Sequence, residues 1–490
     1  MLLRYRLCAA VPPLILGTVL IAVGAPQDAG AGPREPVRQI GSERQLFVDR
    51  WLIDRLRGAE LRMHEPVRRE VAFRFDAPWE GRQSAYVTLL RDGDRYRMYY
   101  RGGGDLTREF TCMAESPDGI RWTRPSLGLH VYAGSRENNI LLAPRDKAYA
   151  EAHNFTPFRD ENPDAAPAER YKAVALGKFF DPKINDRRKM LVAYTSADGI
   201  HWKPLQEGPI LSEGSFDSQN VAFWDTVRQQ YVCYSRGGRD GIRSILRSTS
   251  PDFRHWSAQE WIDLGKTPRE HFYTNAIAPY DRSPGLFLGF PMRFVPTRKE
   301  IGADRRPVDA LSDAVLISSR DGVRWERTFM DAFLRPGPDP ANWGDGHGNN
   351  TPAWGLLPTA AGELSFYWSE NYGTVPRLRR GTLRTDGFVS VHGGYAGGEL
   401  VTRPFRFLGG KLQLNYATSA AGTVRVEVQD ASGKPVPGYA LKDAVELYGD
   451  ELERTAGWNA GTDLRRLAGR TVRLRILLND ADLYSLAFSP

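Results

Sequence analysis

Cysteine is nearly missing from this chain, with 3 in 490 residues. Cys8 sits in an N-terminal stretch that reads as removable, which leaves Cys112 and Cys233. Two cysteines exclude a disulfide framework, and both lie in strand-like runs where a thiol serves as a small apolar filler. No Cys/His spacing matches a zinc site. Long apolar runs are also missing: beyond the N-terminus nothing approaches the ~20 residues that span a bilayer. So are basic runs. The 66 Lys and Arg are interspersed with 59 Asp and Glu, for a formal net charge of +7, a pattern that argues against a nucleic-acid partner. Nucleophile-elbow, P-loop, dinucleotide and zinc-helix motifs are absent. Gly102-Gly103-Gly104 and Gly237-Gly238 precede no helix start and are not phosphate cradles.

What the chain has in quantity is aromatics and turn formers. It carries 12 Trp, 20 Tyr, 22 Phe, 48 Gly and 33 Pro, which points to β-structure broken by frequent turns. Arg4 and Arg6 precede an apolar run from Leu7 to Val23, and small residues follow at Val23-Gly24-Ala25. This is the pattern of a secretory signal peptide over 1–25, giving a secreted or periplasmic protein with no membrane partner after cleavage. Residues 26–42 read as a loose linker.

A repeat organises most of the remainder. Ser116-Pro117-Asp118-Gly119-Ile120-Arg121-Trp122 recurs as Ser196 to Trp202 and as Ser319 to Trp325. A degenerate copy runs from Ser250 through Asp252 to Trp256, and a fifth keeps Thr385-Asp386-Gly387-Phe388. The five Asp positions are spaced by about 67 residues on average. Asp-Gly after a β-run supplies the positive φ of a tight hairpin, and the Trp covers the apolar face of that hairpin. Two or three β-runs precede each turn, so each unit makes a four-stranded antiparallel sheet. Five such sheets predict an all-β chain with a five-bladed β-propeller over 43–394. The shorter alternating runs of 395–490 predict an appended β-sandwich.

The first strand of each blade lines the central channel, so the residues leading into it form the rim of a funnel. Four of the five first strands begin with Asn: Asn154, Asn220, Asn275 and Asn350. Polar or ionisable residues precede them: Glu151 and His153, Asp217, Glu270, His271 and Tyr273, Asp345 and His347. Unit one offers Glu80 instead. Carboxylates converging on a narrow channel are costly unless used. Arg101, Arg236 and Arg293 end the second strands and could read an acidic sugar, while Glu370 ends the fifth.

Phe216-Asp217-Ser218-Gln219-Asn220, Tyr273-Thr274-Asn275-Ala276, Thr385-Asp386-Gly387-Phe388-Val389-Ser390 and Ala481-Asp482-Leu483-Tyr484-Ser485 carry a resemblance. With the hairpins and the trailing sandwich, the chain resembles the five-bladed propeller glycoside hydrolases. These are the invertase, fructosidase and arabinanase relatives, here in a secreted bacterial branch. The Asn-Asp-Pro-Asn context of the invertase nucleophile is absent, and unit one has Glu80 or Asp76 in its place.

The resemblance implies a glycoside hydrolase acting on a polysaccharide or oligosaccharide with a carboxylate pair. The expected catalytic residues are Asp217 as base or nucleophile and Glu270 as general acid, with Glu80 as a further candidate. The expected substrate-binding residues are Glu151, His153, Asn154, Asn220, Arg236, His271, Tyr273, Asn275, Arg293, Asp345, His347, Asn350, Glu370 and Arg101. No cofactor is expected; a structural calcium in the channel stays open as an alternative, though no ligand motif demands it. Two alternatives remain: a non-catalytic carbohydrate-binding propeller, and a sialidase-like hydrolase of acidic sugars.

Overall fold

The computed structural model describes residues 37–103, 109–144, 153–181, 186–299, 301 and 310–490. The expected signal peptide, most of the expected linker and Glu151 lie outside the described residues. Among those described there is no α-helix, only four single turns of 3-10 helix between strands. Among the described residues no helix is long and apolar enough to cross a membrane.

Three of the repeat units are single four-stranded antiparallel sheets in chain order. Unit one pairs Ala85–Asp92, Arg95–Gly102, Phe110–Ser116 and Ile140–Leu142. Unit two pairs Thr156–Arg159, Tyr171–Asp181, Asp186–Ser196 and Lys203–Pro204. Unit three pairs Val221–Asp225, Gln230–Arg239, Ile242–Ser250 and Glu260–Trp261. Unit four divides into two three-stranded sheets, with the break between Ser283–Gly289 and Met292–Val295. Pro291 lies in that break and has no N–H to continue the ladder.

Unit five takes its fourth strand from the other end of the described chain. Leu357–Ala360, Glu363–Glu370 and Arg377–Arg384 are completed by Val67–Arg74, antiparallel to Arg377–Arg384. Its inner segment also joins unit one: the Leu89 N–H donates to Trp354 O and the Trp354 N–H to Val87 O, both at 2.8 Å. Gln219 of unit three reaches the same strand, donating to Val87 O at 3.2 Å and Thr88 Oγ1 at 3.1 Å. The inner strands therefore converge on one another.

The recurring turn explains itself at atomic level. In unit one, Ser116 Oγ accepts the Gly119 N–H at 2.8 Å, and Asp118 Oδ1 accepts the Ile120 and Arg121 N–H groups at 2.9 and 2.8 Å. Gly119, Gly199 and Gly322 take φ of 73°, 75° and 80°, a region open to glycine at little cost. Each Trp does more than cover the hairpin. Trp122, Trp202 and Trp325 donate Nε1–H to the turn glycine's carbonyl at 3.0–3.1 Å. A tyrosine of the neighbouring unit bonds the same carbonyl: Tyr99 to Gly199 at 3.0 Å, Tyr234 to Gly322 at 2.8 Å, and Tyr367 to Gly119. The motif thus closes its own hairpin and fastens the adjacent unit.

The remaining strands form one ten-stranded sheet built from both ends of the described chain. Lys411–Asp430 and Val472–Ser489 pair along nearly their whole length. Arg38–Gly41, expected in the linker, runs parallel to Phe405–Phe407. Ala59–Met63 and Val389–Gly393, expected within the repeat region, pair with each other in this sheet. The cause is burial: Ile40, Phe47, Leu52 and Ile53 share a core with Phe405, Phe407, Leu474 and Ile476. The fifth turn copy serves this junction. Asp386 is fully buried and accepts bonds from Tyr280, Arg282, Asn415 and Ser485. Cys112 and Cys233 are free and buried.

Candidate functional site

At the leading ends of the inner strands, polar side chains from all five units touch in a closed circuit. Arg101 lies 3.8 Å from Glu109, and Glu109 Oε2 lies 2.6 Å from His153 Nδ1. His153 Nε2 is 3.4 Å from the main-chain oxygen of Asp217. The Asp217 carboxylate pairs with Arg236, and with Lys189 at 3.1 Å. Arg236 sits 4.5 Å from the centre of the Tyr273 ring. Tyr273 meets the His347 ring at 5.6 Å, and His347 lies 3.4 Å from Asp345. The Tyr86 hydroxyl donates to His347 O at 3.4 Å while its ring carries Arg101 at 4.6 Å, which closes the circuit.

Backbone geometry places these groups. Tyr86, Asn154 and Asn350, at or shortly before the inner segments of their units, take φ of 55°, 55° and 57°. Asn tolerates that region because its short amide bonds locally, so part of the Asn recurrence is a backbone requirement. Arg101 is fixed by five contacts. It donates to Gln83 O at 2.8 and 3.1 Å, to Asn154 Oδ1 at 3.3 Å and to the Tyr372 hydroxyl at 3.0 Å, and it stacks on Tyr86.

Burial alone would push Glu109 up, but the His153 bond and the charges of His153 and Arg101 hold it below the ordinary carboxylate range. Glu109 therefore stays anionic and orients His153. With Nδ1 donating to Glu109, the ring position left to exchange a proton is Nε2, which faces the Asp217 main-chain oxygen. Burial pushes the Tyr86 and Tyr372 phenols up, so both stay protonated donors. Burial and Arg243 push His271 down, so it is neutral at pH 7.

Several expected site residues are placed elsewhere. Glu80, expected among the catalytic residues, is buried away from this circuit, its side chain 0% exposed. It accepts from Arg124 at 2.7 and 3.0 Å, from the Ala77 N–H at 2.9 Å and from the Tyr100 hydroxyl. Glu370 is likewise enclosed, between Arg68, Arg377 and Arg379 with Trp368 Nε1 as a further donor, and Arg379 and Arg377 hold it below the ordinary range against its burial.

Glu270 is partly exposed, but one oxygen accepts from Arg293 at 3.1 Å and the other from Arg327. Both of its carboxylate oxygens are thus engaged by guanidiniums. Arg293 is itself held by Asp313 at 2.5 and 2.8 Å. Asn220, Asn275 and Asn350 are buried with their amides on backbone carbonyls, which is structural work. Glu151 lies outside the described residues. Glu109, Tyr86, Tyr372 and Arg243 are the members that the sequence reading missed. Tyr86 could have been found from the register it shares with Asn154 and Asn350. Glu109 has no sequence mark, since its partner is 44 residues away.

A second feature lies at the trailing ends of the same strands. It is a cavity of about 600 Å³ walled by Phe158, Trp224, Phe290 and Trp354. Arg91, Arg159, Glu161 and Asp281 also line it. Burial pushes Glu161 up, with Asp281 adding to it, and burial pushes Asp281 up. Among the described residues no cluster of three or more His, Cys, Asp or Glu is disposed to hold a metal ion.

No family model and no curated protein matches this chain. Among solved structures, one described as a glycoside hydrolase is 14% identical, with a TM-score of 0.44 over 65% of this chain and 92% of the other. An N-acetylgalactosamine deacetylase from F. plautii, in complex with blood group B trisaccharide, is 17% identical with a TM-score of 0.42, over 66% of this chain and 94% of that one. A thermostable family-43 glycoside hydrolase is 13% identical with a TM-score of 0.39, over 65% and 95% of the two chains. At TM-scores below 0.5 these likenesses carry no argument about activity or substrate.

Proposed function

We propose that the five repeat units are the blades of a five-bladed propeller, that the ten-stranded sheet is a β-sandwich appended to it, and that the exported chain is a glycoside hydrolase. The observation that carries the activity is the Glu109–His153 pair set against Asp217 at the mouth of the propeller. Glycoside cleavage needs a proton for the leaving oxygen and an anionic group to act as base or nucleophile. His153, oriented by Glu109, moves the proton at Nε2. Asp217, one-third exposed and steered by Arg236 and Lys189, supplies the anion. Glu270, clamped by two arginines, is replaced in the acid role. Tyr273 and His347 offer ring faces for a sugar.

The test is release of reducing sugar from a broad glycan panel by the protein without residues 1–25. Asp217→Asn and His153→Gln should each lower the rate by about a hundredfold or more. Binding without cleavage, equal in all three proteins, would point to a carbohydrate-binding propeller instead.

One observation favours a second location: Glu161 and Asp281 are two carboxylates shifted in the same direction within an apolar-walled cavity, a feature common at catalytic sites. Loss of activity in Asp281→Asn with activity retained in Asp217→Asn would move the active site there.

A further inference from the structure

Beside the circuit at the propeller mouth stands a guanidinium, Arg243, that no carboxylate among the described residues pairs with. Arg236 and Lys189 share one acid, Asp217, and Arg243 stands beside Arg236. Arg236 gives one end of its guanidinium to Asp217, while its Nη1 is buried with no partner. The Arg236 side chain is only 8% exposed, so that N–H group is not simply turned to solvent.

Arg243 is the more unusual of the two. Its guanidinium lies over Phe294 at 4.6 Å and near the Tyr273 ring at 5.2 Å. Among the described residues its one polar side-chain contact is the Nδ1 of neutral His271 at 3.5 Å. Among the described residues no carboxylate pairs with it. Burial and the like charge of Arg236 both push its pKa down from the ordinary value. Holding the Arg243 guanidinium on apolar rings beside Arg236, with no carboxylate of its own among the described residues, costs stability. A bound anion would remove that cost.

We propose that Arg243 and Arg236 form a subsite for an anionic group on the sugar, so that the substrate class is an acidic glycan. The inference rests on the glycoside-hydrolase reading only for the identity of the ligand as a sugar. Guanidinium offers a planar fork to a carboxylate or a sulfate, and Tyr273 supplies an aromatic face for the ring that bears it. His271 adds a donor without adding charge: with Nδ1 facing Arg243, its proton is on Nε2. A sugar carboxylate and a sugar sulfate share the chemistry this pair would recognise, and the probes separate them.

The experiment measures binding of galacturonic acid, galactose 6-sulfate and galactose to the protein without residues 1–25, by titration calorimetry or ligand-observed NMR. The expected result is saturable binding of at least one anionic sugar, at least tenfold tighter than galactose, with the affinity falling as salt rises. Arg243→Gln should weaken that binding about tenfold or more, as expected for loss of a charge-assisted bond. Arg243→Lys should restore part of it, with the thermal midpoints of both variants confirming a folded protein. Asp217→Asn should bind the anion as well or better, because a competing carboxylate is gone. Preference for the uronate or for the sulfate identifies the group, and either supports the subsite. Equal binding of charged and neutral sugars, no binding of either anionic sugar, or anion binding unaffected by Arg243→Gln overturns it. Hydrolysis of neutral glycans with no anion preference would sink the subsite and leave the hydrolase reading intact. Anion binding with no hydrolysis of any glycan would do the reverse.

Discussion

The two ends of the inner strands handle charge in opposite ways. At the leading ends Glu109, Asp217, Asp345 and Arg101 all have partners, several of them from a different repeat unit. At the trailing ends Arg91, Arg159, Glu161 and Asp281 line a wide cavity, and none is in an ion pair among the described residues. Groups held by neighbours have fixed positions, which acid–base chemistry requires. Groups shifted chiefly by burial have changed proton affinity without a fixed geometry. Perturbation alone therefore does not identify a site; position must accompany it.

The comparison is sharpened most strongly by the carboxylates that belong to neither end. Glu370→Gln leaves Arg68, Arg377 and Arg379 around an uncharged amide, and Glu80→Gln does the same to Arg124. Removing one partner of a buried ion pair costs about 3–5 kcal/mol. Chemical denaturation should show a loss of that order for each variant, while activity per folded molecule is retained. Asp217→Asn should differ from both by losing activity per folded molecule.

A smaller effect is expected at the turns that hold the units together. Gly322→Ala places a Cβ at φ of 80° and 2.8 Å from the Tyr234 hydroxyl. The left-handed backbone costs about 1–2 kcal/mol, and the lost contact between units adds to it, so the melting temperature should drop by several degrees. Gly238→Ala, with nothing within 4 Å of the added Cβ and no positive φ, is the control.

Acid should act on the same turns. Asp118, Asp198 and Asp252 accept backbone N–H groups that hold their carboxyls well below the ordinary range. A depressed pKa stabilises the fold above the unfolded value near ~3.9 and loses that contribution as pH falls through the folded value. Asp118→Asn should therefore be less stable than wild type at pH 7, with the gap closing toward pH 2. The smallest effect is expected at Asp281. Its raised pKa means that the charged form is the costly one at neutral pH, so Asp281→Asn should leave stability at pH 7 unchanged or slightly increased, as a thermal melt would show.

The legible parts of this molecule were local. Ser-x-Asp-Gly-x-x-Trp turns close within seven residues, and their bonds run between near neighbours, so the repeat could be read from spacing. Val67–Arg74 could not be assigned to unit five, because it pairs with residues some 310 positions later. Arg38–Gly41 was read as linker for the same reason: its partner strand is Phe405–Phe407. In the candidate site, Asp217, Arg236, His153 and Tyr273 were legible from register. The roles of Glu80, Glu270 and Glu370 were not, since a carboxylate looks the same in sequence whether it faces a funnel or three arginines. Glu109 was missed because only the fold brings it to His153.

The most direct test is the initial rate of glycan cleavage by wild type, Asp217→Asn, His153→Gln and Asp281→Asn on whichever substrate the panel identifies. The account predicts a drop of about a hundredfold or more in the first two variants and a rate within twofold of wild type for Asp281→Asn. Full activity in Asp217→Asn, or its loss in Asp281→Asn alone, would contradict the placement of the chemistry at the leading ends of the inner strands.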